Sequence, residues 1–464
     1  MGARRGGRYT SGYTMKQAPL CYRLPMRPSI PWIVVGVGAL VGLWLAWPEA
    51  EPAPAQVRIV PPSAVAPPDV PATEAFLEAA ALSASVPDRD RTREALARAL
   101  LPKGPPPDDA REAWKPFAEA IAAIEAVVAR PGLTIPDEDP DATSLPVIDV
   151  QRVIFALLVR GWDRALSGQP EDGVADMLHA YAFAVRIVDA GESLLDVAVG
   201  VGLQGASLRE LGELLDATGP ASGPASGPTS APALAGSPPH RAALAGLLKY
   251  RARGSATARV VPHDCAAFKL QTAKDMAEPG AMLRYTQLEE VVNNLGVSPT
   301  VANAVVSTAV YDPVETRAQI DAACLAAMMR LAEGRPPVPD VKTPPPAAPV
   351  GPELVLELFD NPAGHAAARD TDRTFLTVGA REASILAARE VLTTVVAARL
   401  YLWASGNAPT RVADLVPAWL PTEPVDPYRP EGLRIVDGLV RSAGQDVPDR
   451  PRADTDPRLA IAIQ

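Results

Sequence analysis

The stretch Pro31–Pro48, PWIVVGVGALVGLWLAWP, constrains this 464-residue chain more than any other. It holds no charged side chain, and Trp32, Trp44 and Trp47 stand near its ends. From Ile30 to Trp47 an α-helix would reach roughly 27 Å, the depth of a hydrocarbon core. Ahead of it lie Arg4, Arg5, Arg8, Lys16, Arg23 and Arg27, with no Asp or Glu. Basic flanks stay on the cytoplasmic side, and tryptophan favours the membrane interface. The pattern predicts residues 1–30 as a cytoplasmic basic tail and 31–48 as a single-pass signal anchor in a bacterial inner membrane. Everything after Pro48 is then periplasmic. A cleaved signal peptide is the alternative, because Ala53-Pro54-Ala55 has small residues at a cleavage spacing, although Pro48, Pro52 and Pro54 crowd it.

Charge narrows the partners. With the six basic residues of the tail set aside, 38 Lys and Arg face 54 Asp and Glu, a surplus of 16 negative charges outside the membrane. Such a surface repels nucleic acid and anionic lipid. The expected partners are the membrane, through the single anchor, and envelope proteins. The 51 prolines gather in linkers, and the segments between them carry Ala, Leu and Val at helical spacing. The predicted organisation is a Pro/Ala linker at 49–72, a helical domain at 73–217, and a disordered linker at 218–239. A second helical segment follows at 240–335, then a Pro-rich linker at 336–350 and a C-terminal module at 351–464.

The helical reading rests on particular residues. Pro107-Asp108-Asp109-Ala110 predicts a helix start with acidic residues at its positive end, continuing through Trp114, Phe117, Ile121, Ile124 and Val128. Ile154, Leu157, Leu158, Gly161 and Ala165 form one apolar stripe. Ser167-Gly168-Gln169-Pro170 breaks it, and Val174, Met177, Leu178, Tyr181, Val185 and Val188 form the next. The phrase ALSGQPEDGVADMLHAYAFAV resembles one tetratricopeptide-type helix pair. Ser193 caps a third helix to about Leu215. Thr286-x-x-Glu289 makes a capping box in the second helical segment. A long helix is predicted over Gly379–Ser405, kept out of the membrane by Arg381, Glu382, Arg389, Glu390 and Arg399. Thr410 caps a short turn that Pro417 stops. Leu433–Val436 and Leu439–Arg441 read as a β-hairpin around Asp437-Gly438, a pair suited to a type I′ turn. The fold class is therefore mainly α: an anchor, helical hairpins and a small C-terminal α+β module.

Catalytic patterns are missing from the sequence. It contains no GxSxG, HExxH, CxxC or Walker loop. Its four histidines are His179, His240, His263 and His365. His179 sits in an amphipathic stripe without a base or nucleophile in register. His263-Asp264-Cys265 reads as a loop, because sequence neighbours do not face one another as a triad must. Asp137-Glu138-Asp139-Pro140-Asp141 reads as a solvated acidic loop, a cation site being the other option. No enzyme is expected, with a hydrolase built from scattered carboxylates as the alternative. Cys265 and Cys324 are the thiols beyond the apolar stretch. In an oxidising compartment they pair, closing a loop that stabilises by roughly 4 kcal/mol on the loop-entropy model. Otherwise they are two separately buried small hydrophobes.

The C-terminal order Tyr401, Gly406, Pro409, Leu415-Val416, Trp419-Leu420-Pro421, Pro424, Asp426-Pro427-Tyr428, hairpin, Ser442-x-Gly444-x-Asp446 resembles the globular end of type II secretion major pseudopilins. The likeness spans about Val391–Asp446. It implies a long helix packed on a small β-element and a C-terminal acidic loop able to hold calcium; no other cofactor is expected. The chain departs from that pattern in two places. It has no prepilin-type cleavage site, and Val447-Pro448-Asp449-Arg450-Pro451 stands where the glycine-rich acidic run belongs. The layout as a whole, with Asn361-Pro362-Ala363-Gly364 before the ending, resembles uncharacterised bacterial membrane-anchored envelope proteins. Gly379–Asp446 is accordingly expected to fold as one unit at the recognition end of the molecule. Trp403, Trp419, Asp426 and Tyr428 are its candidate core or recognition residues.

Overall fold

The computed structural model describes residues 71–87, 89–100, 104–136, 146–218, 238–250, 255–277, 298, 312–332, 362–429, 431–443 and 460–463. The apolar stretch 31–48, the linkers, the acidic loop at 137–141, the Thr286–Glu289 capping box and the acidic residues after Gly444 lie outside these. Among the described residues no helix is long and apolar enough to cross a membrane.

The chain divides into two units, Met1–Pro62 and Ser63–Gln464. The second is mainly helical. Its helices are α1 (Pro71–Ser85), α2 (Arg89–Leu100), α3 (Ala118–Ala129), α4 (Pro146–Leu166), α5 (Pro170–Ala190) and α6 (Leu194–Thr218). After these come α7 (Pro238–Lys249), α8 (Ala256–Ala277), α9 (Pro313–Ala332) and α10 (Pro362–Ser405). A small antiparallel sheet closes the chain, with order β1 (Arg434–Val436), β2 (Leu439–Arg441), β3 (Ala460–Ala462).

The hairpin of α4 and α5 forms where its residues predict. Gly168 takes φ +87° at the exit of α4, and Pro170 opens α5, where its missing N–H leaves no donor unpaired. The two helices approach closely at Gly161 and Gly173. A Cβ on Gly173 would stand 2.5 Å from the Gly161 carbonyl oxygen. The helix expected from Pro107 instead starts at Ala118. Residues 107–117 make successive tight turns ending in a 3₁₀ turn, Lys115–Phe117. Pro116 explains this, since it disfavours α geometry at Lys115 and contributes no N–H of its own.

At the C-terminal end the structure departs from the expected modular plan. α10 begins at Pro362, well before Gly379, and runs through the core of the helical bundle. It packs against α6, α7, α8 and α9, while β2, β3 and the 3₁₀ turn Val412–Leu415 lie on it. Every residue from Ala387 to Leu400 is buried. The segments drawn as separate domains therefore share one core, which runs from Ala72 to Ile463. Val391, Leu392, Val395, Val396, Ala397, Ala398 and Leu400 are buried together with Arg389, Glu390, Thr393, Thr394 and Arg399, so this stretch turns neither an apolar nor a polar face to solvent. The β-hairpin forms as expected, with Asp437 and Gly438 at φ 51° and 73°. Strand β3 was not anticipated; Leu459–Ile463 is too short to read as a strand without its partner.

Candidate functional site: buried charges at the helix crossings

The charged side chains in the core are the structure's most distinctive chemistry. At the α4–α5 crossing, Arg160 reaches Asp176 with two prongs, Nε to Oδ2 at 2.9 Å and Nη2 to Oδ1 at 2.7 Å. Arg164 adds a third bond to Oδ1 at 2.8 Å. Arg160 Nη2 also donates to Glu125 of α3. Asp176 is 1 % exposed. Burial lifts its pKa, against the pull of Arg160 and Arg164. Burial would lower the Arg160 pKa, but its hydrogen bonds to the Asp176 and Glu125 carboxylates outweigh it and hold the guanidinium more firmly charged. With Arg160 fixed as a cation, Asp176 is held as the acceptor of all three bonds.

Other charged side chains, buried or partly so, serve helix ends, and Arg259 does so from an exposed position. Glu382 of α10 accepts from Ala256 N (2.7 Å), Thr257 N (3.1 Å), Thr257 Oγ1 (2.7 Å) and Ser255 Oγ (3.2 Å). A carboxylate there satisfies the otherwise orphaned donors of the first turn of α8 and meets its positive end. Asp264 of α8 accepts from Leu194 N, the first residue of α6. Arg259 of α8 donates to Gly191 O at 2.7 Å and Val188 O at 2.6 Å, at the C-terminus of α5. Arg186 of α5 donates to the carbonyls of Val127 and Arg130 at the end of α3. Trp162 Nε1 donates to Glu210 at 2.9 Å, and burial raises the Glu210 pKa against that bond and Arg209. Tyr181 is buried, and desolvation pushes its pKa up to about 12 against the opposing pull of Arg389 on α10.

The residues singled out from sequence are distributed among these elements. Cys265 of α8 and Cys324 of α9 are joined by a disulfide with Cα atoms 6.3 Å apart. His263-Asp264-Cys265 lies on α8 and not in a loop. His263 is half-exposed with its Nδ1 3.9 Å from Asp264 Oδ1, while Asp264 and Cys265 are nearly buried and engaged elsewhere, Asp264 with Leu194 N and Cys265 with Cys324. Trp403 is partly buried and meets His240 of α7 edge-on, ring centres 4.7 Å apart. Trp419 is partly buried on the core beyond the 3₁₀ turn. Tyr428 packs on Ala387 and Ala388 of α10. Asp426 is 3 % exposed and accepts from Tyr428 N (3.0 Å), Ser442 Oγ (2.9 Å) and Ala443 N (2.6 Å). Asp426 and Tyr428 thus come together as a clasp on the hairpin, while Trp403 serves the α7–α10 contact.

Among the described residues, one group has the spacing of a cation site. Glu125, Asp176 and His179 each bring a ligand atom within 4.8 Å of the others. Both Asp176 oxygens already accept from guanidinium groups, and a second cation would meet the charges of Arg160 and Arg164. The same occupancy denies Asp176 the role of a general base. Arg160, Asp176 and Glu210 each carried a signal in the sequence, a charged residue inside an apolar stripe; Glu382 was legible there only as a charge that excludes its helix from a membrane. The chain matches no family model, no curated protein and no solved structure.

Proposed function

We infer that this chain is a membrane-anchored extracytoplasmic scaffold or interaction protein, accessory to secretion or the cell envelope, with its N-terminus cytoplasmic and its folded unit periplasmic. The observation that carries the reading is the Cys265–Cys324 disulfide, which joins α8 to α9. Disulfides persist in oxidising compartments, and the charge asymmetry around Pro31–Pro48 points the folded unit toward one. The buried ionisable groups support a non-catalytic role, because they serve helix ends and helix crossings. The pseudopilin-like order of residues 391–446 supports an envelope setting. A hydrolase is the second reading, favoured by the proximity of Glu125 and His179 beside the Arg160–Asp176 pair.

The test is made in cells with the tagged full chain. Membrane-impermeant thiol reagents should reach a cysteine engineered into residues 219–237 and miss one beside Arg8. In-cell crosslinking should recover envelope proteins in the membrane fraction. Labelling of both positions, or of the tail alone, would overturn the topology. Hydrolytic activity lost on Glu125→Gln but not on a surface control would move the conclusion to the enzyme.

A further inference from the structure

Within two turns of α8 stand three groups that hold three other elements. Arg259 holds the C-terminus of α5, Asp264 holds the N-terminus of α6, and Cys265 is bonded to α9. The α5–α6 turn is a sharp reversal. Its own caps are Ser193 Oγ accepting from Asp196 N at 3.1 Å and the Asp196 carboxylate accepting from Ser193 N at 3.2 Å. The Gly191 and Val188 carbonyls and the Leu194 amide are met from α8. We propose that the Cys265–Cys324 disulfide is a redox clasp on the α5–α6 turn, acting through the two caps that α8 delivers there. The turn lies 70 residues from Asp264 in sequence, so the coupling is tertiary.

Beyond these two caps, α8 is fixed by Glu382 at its first turn, by Phe268 edge-on against Phe375 of α10, and against α9 by Lys269 on Asp321 and by the disulfide. Releasing the disulfide removes the covalent tie between the middle of α8 and α9 at the residue next to Asp264, while Glu382 still holds the first turn. Both cysteines are nearly buried, at 6 % and 5 % exposed, so a reductant reaches them only when α8 parts from α9. The reaction is a two-electron thiol–disulfide exchange with a dithiol. Its thiolate attacks one sulfur and forms a mixed disulfide, and the other cysteine leaves as a thiolate that takes a proton. The second thiol of the reagent then frees the remaining cysteine, and the reagent departs as its cyclic disulfide. Once set, the clasp is closed to casual reduction, and the order of the turn records that the chain matured in an oxidising compartment.

The experiment is hydrogen–deuterium exchange on the full chain in detergent, before and after complete reduction by dithiothreitol, and on the Cys265→Ser/Cys324→Ser double variant. Amides of residues 191–197 should exchange about tenfold faster or more on reduction and in the double variant, while α1 and α3 keep their protection. Arg259→Ala/Asp264→Ala with the disulfide intact should give the same change at 191–197, and reducing that variant should add nothing further there. Faster exchange confined to α8 and α9 would overturn the proposal. So would a uniform loss of protection that includes α1 and α3, because the disulfide would then be a general stabiliser and not a clasp on this turn. An additive effect of reduction in the Arg259→Ala/Asp264→Ala variant would break the proposed route through the two caps.

Discussion

Glu210 and His240 are both buried ionisable groups, yet each responds to a different change. Glu210 accepts the Trp162 N–H, so Glu210→Gln keeps an acceptor and removes a desolvated charge. Thermal unfolding at neutral pH should change by no more than about 1 kcal/mol, whereas Glu210→Leu orphans the indole N–H and should cost about 1–3 kcal/mol. His240 is fully buried, and burial together with the nearby Arg399 lowers its pKa to about 4. The unfolded ring keeps its ordinary value near 6.5, so between those values the unfolded chain binds more protons. Stability should therefore fall as pH drops from 6.5 toward 4 and level off below that. Part of the loss, roughly 2–3 kcal/mol between pH 7 and 4.5, should vanish in His240→Phe, as measured by denaturant unfolding at both values.

At the scale of elements, most helices were legible because each has an apolar stripe and punctuation at its ends. Gly168 and Pro170 mark one break, and Asp437-Gly438 marks the hairpin, each through backbone conformations that few residues accept. The start of α10 was illegible because Thr371, Thr374 and Arg373 interrupt its stripe, and only packing against α9 turns that stretch into helix. The caps were illegible for a different reason. Glu382 stands more than a hundred residues from Ala256, and nothing in its local sequence distinguishes it from a solvent-facing glutamate on an amphipathic helix. Glu382→Ala should unwind the first turn of α8 and cost roughly 1–2 kcal/mol, visible as lost amide protection over 255–259. Gly173→Val should force α4 from α5 and lower stability by about 1–3 kcal/mol or more in thermal melts.

For the molecule as a whole, the burial of residues 387–400 decides which pieces are independent. The expectation that Gly379–Asp446 folds alone does not fit a helix whose every face is covered by α6, α7, α8 and α9 as well as the sheet. A fragment 362–464 should show no cooperative melt by circular dichroism, and a native-like transition in that fragment would contradict the shared core. Pattern reading divided the chain at its proline-rich linkers. A linker marks where the backbone leaves the fold, and it carries no information about whether the chain returns to the same core.

That late return has a consequence for how the protein is made. Of the described helices α10 is the last to leave the ribosome, and it packs among α6, α7, α8 and α9, which are already synthesised. Until it arrives, α6 to α9 have no partner for the surfaces they turn toward it, and those apolar faces stand open to aggregation and proteolysis. A frameshift or premature stop near residue 380 should therefore be as damaging as one near residue 150, leaving no partly useful product. Pulse-chase of chains truncated at 361 and completed at 464 should show rapid degradation of the former alone.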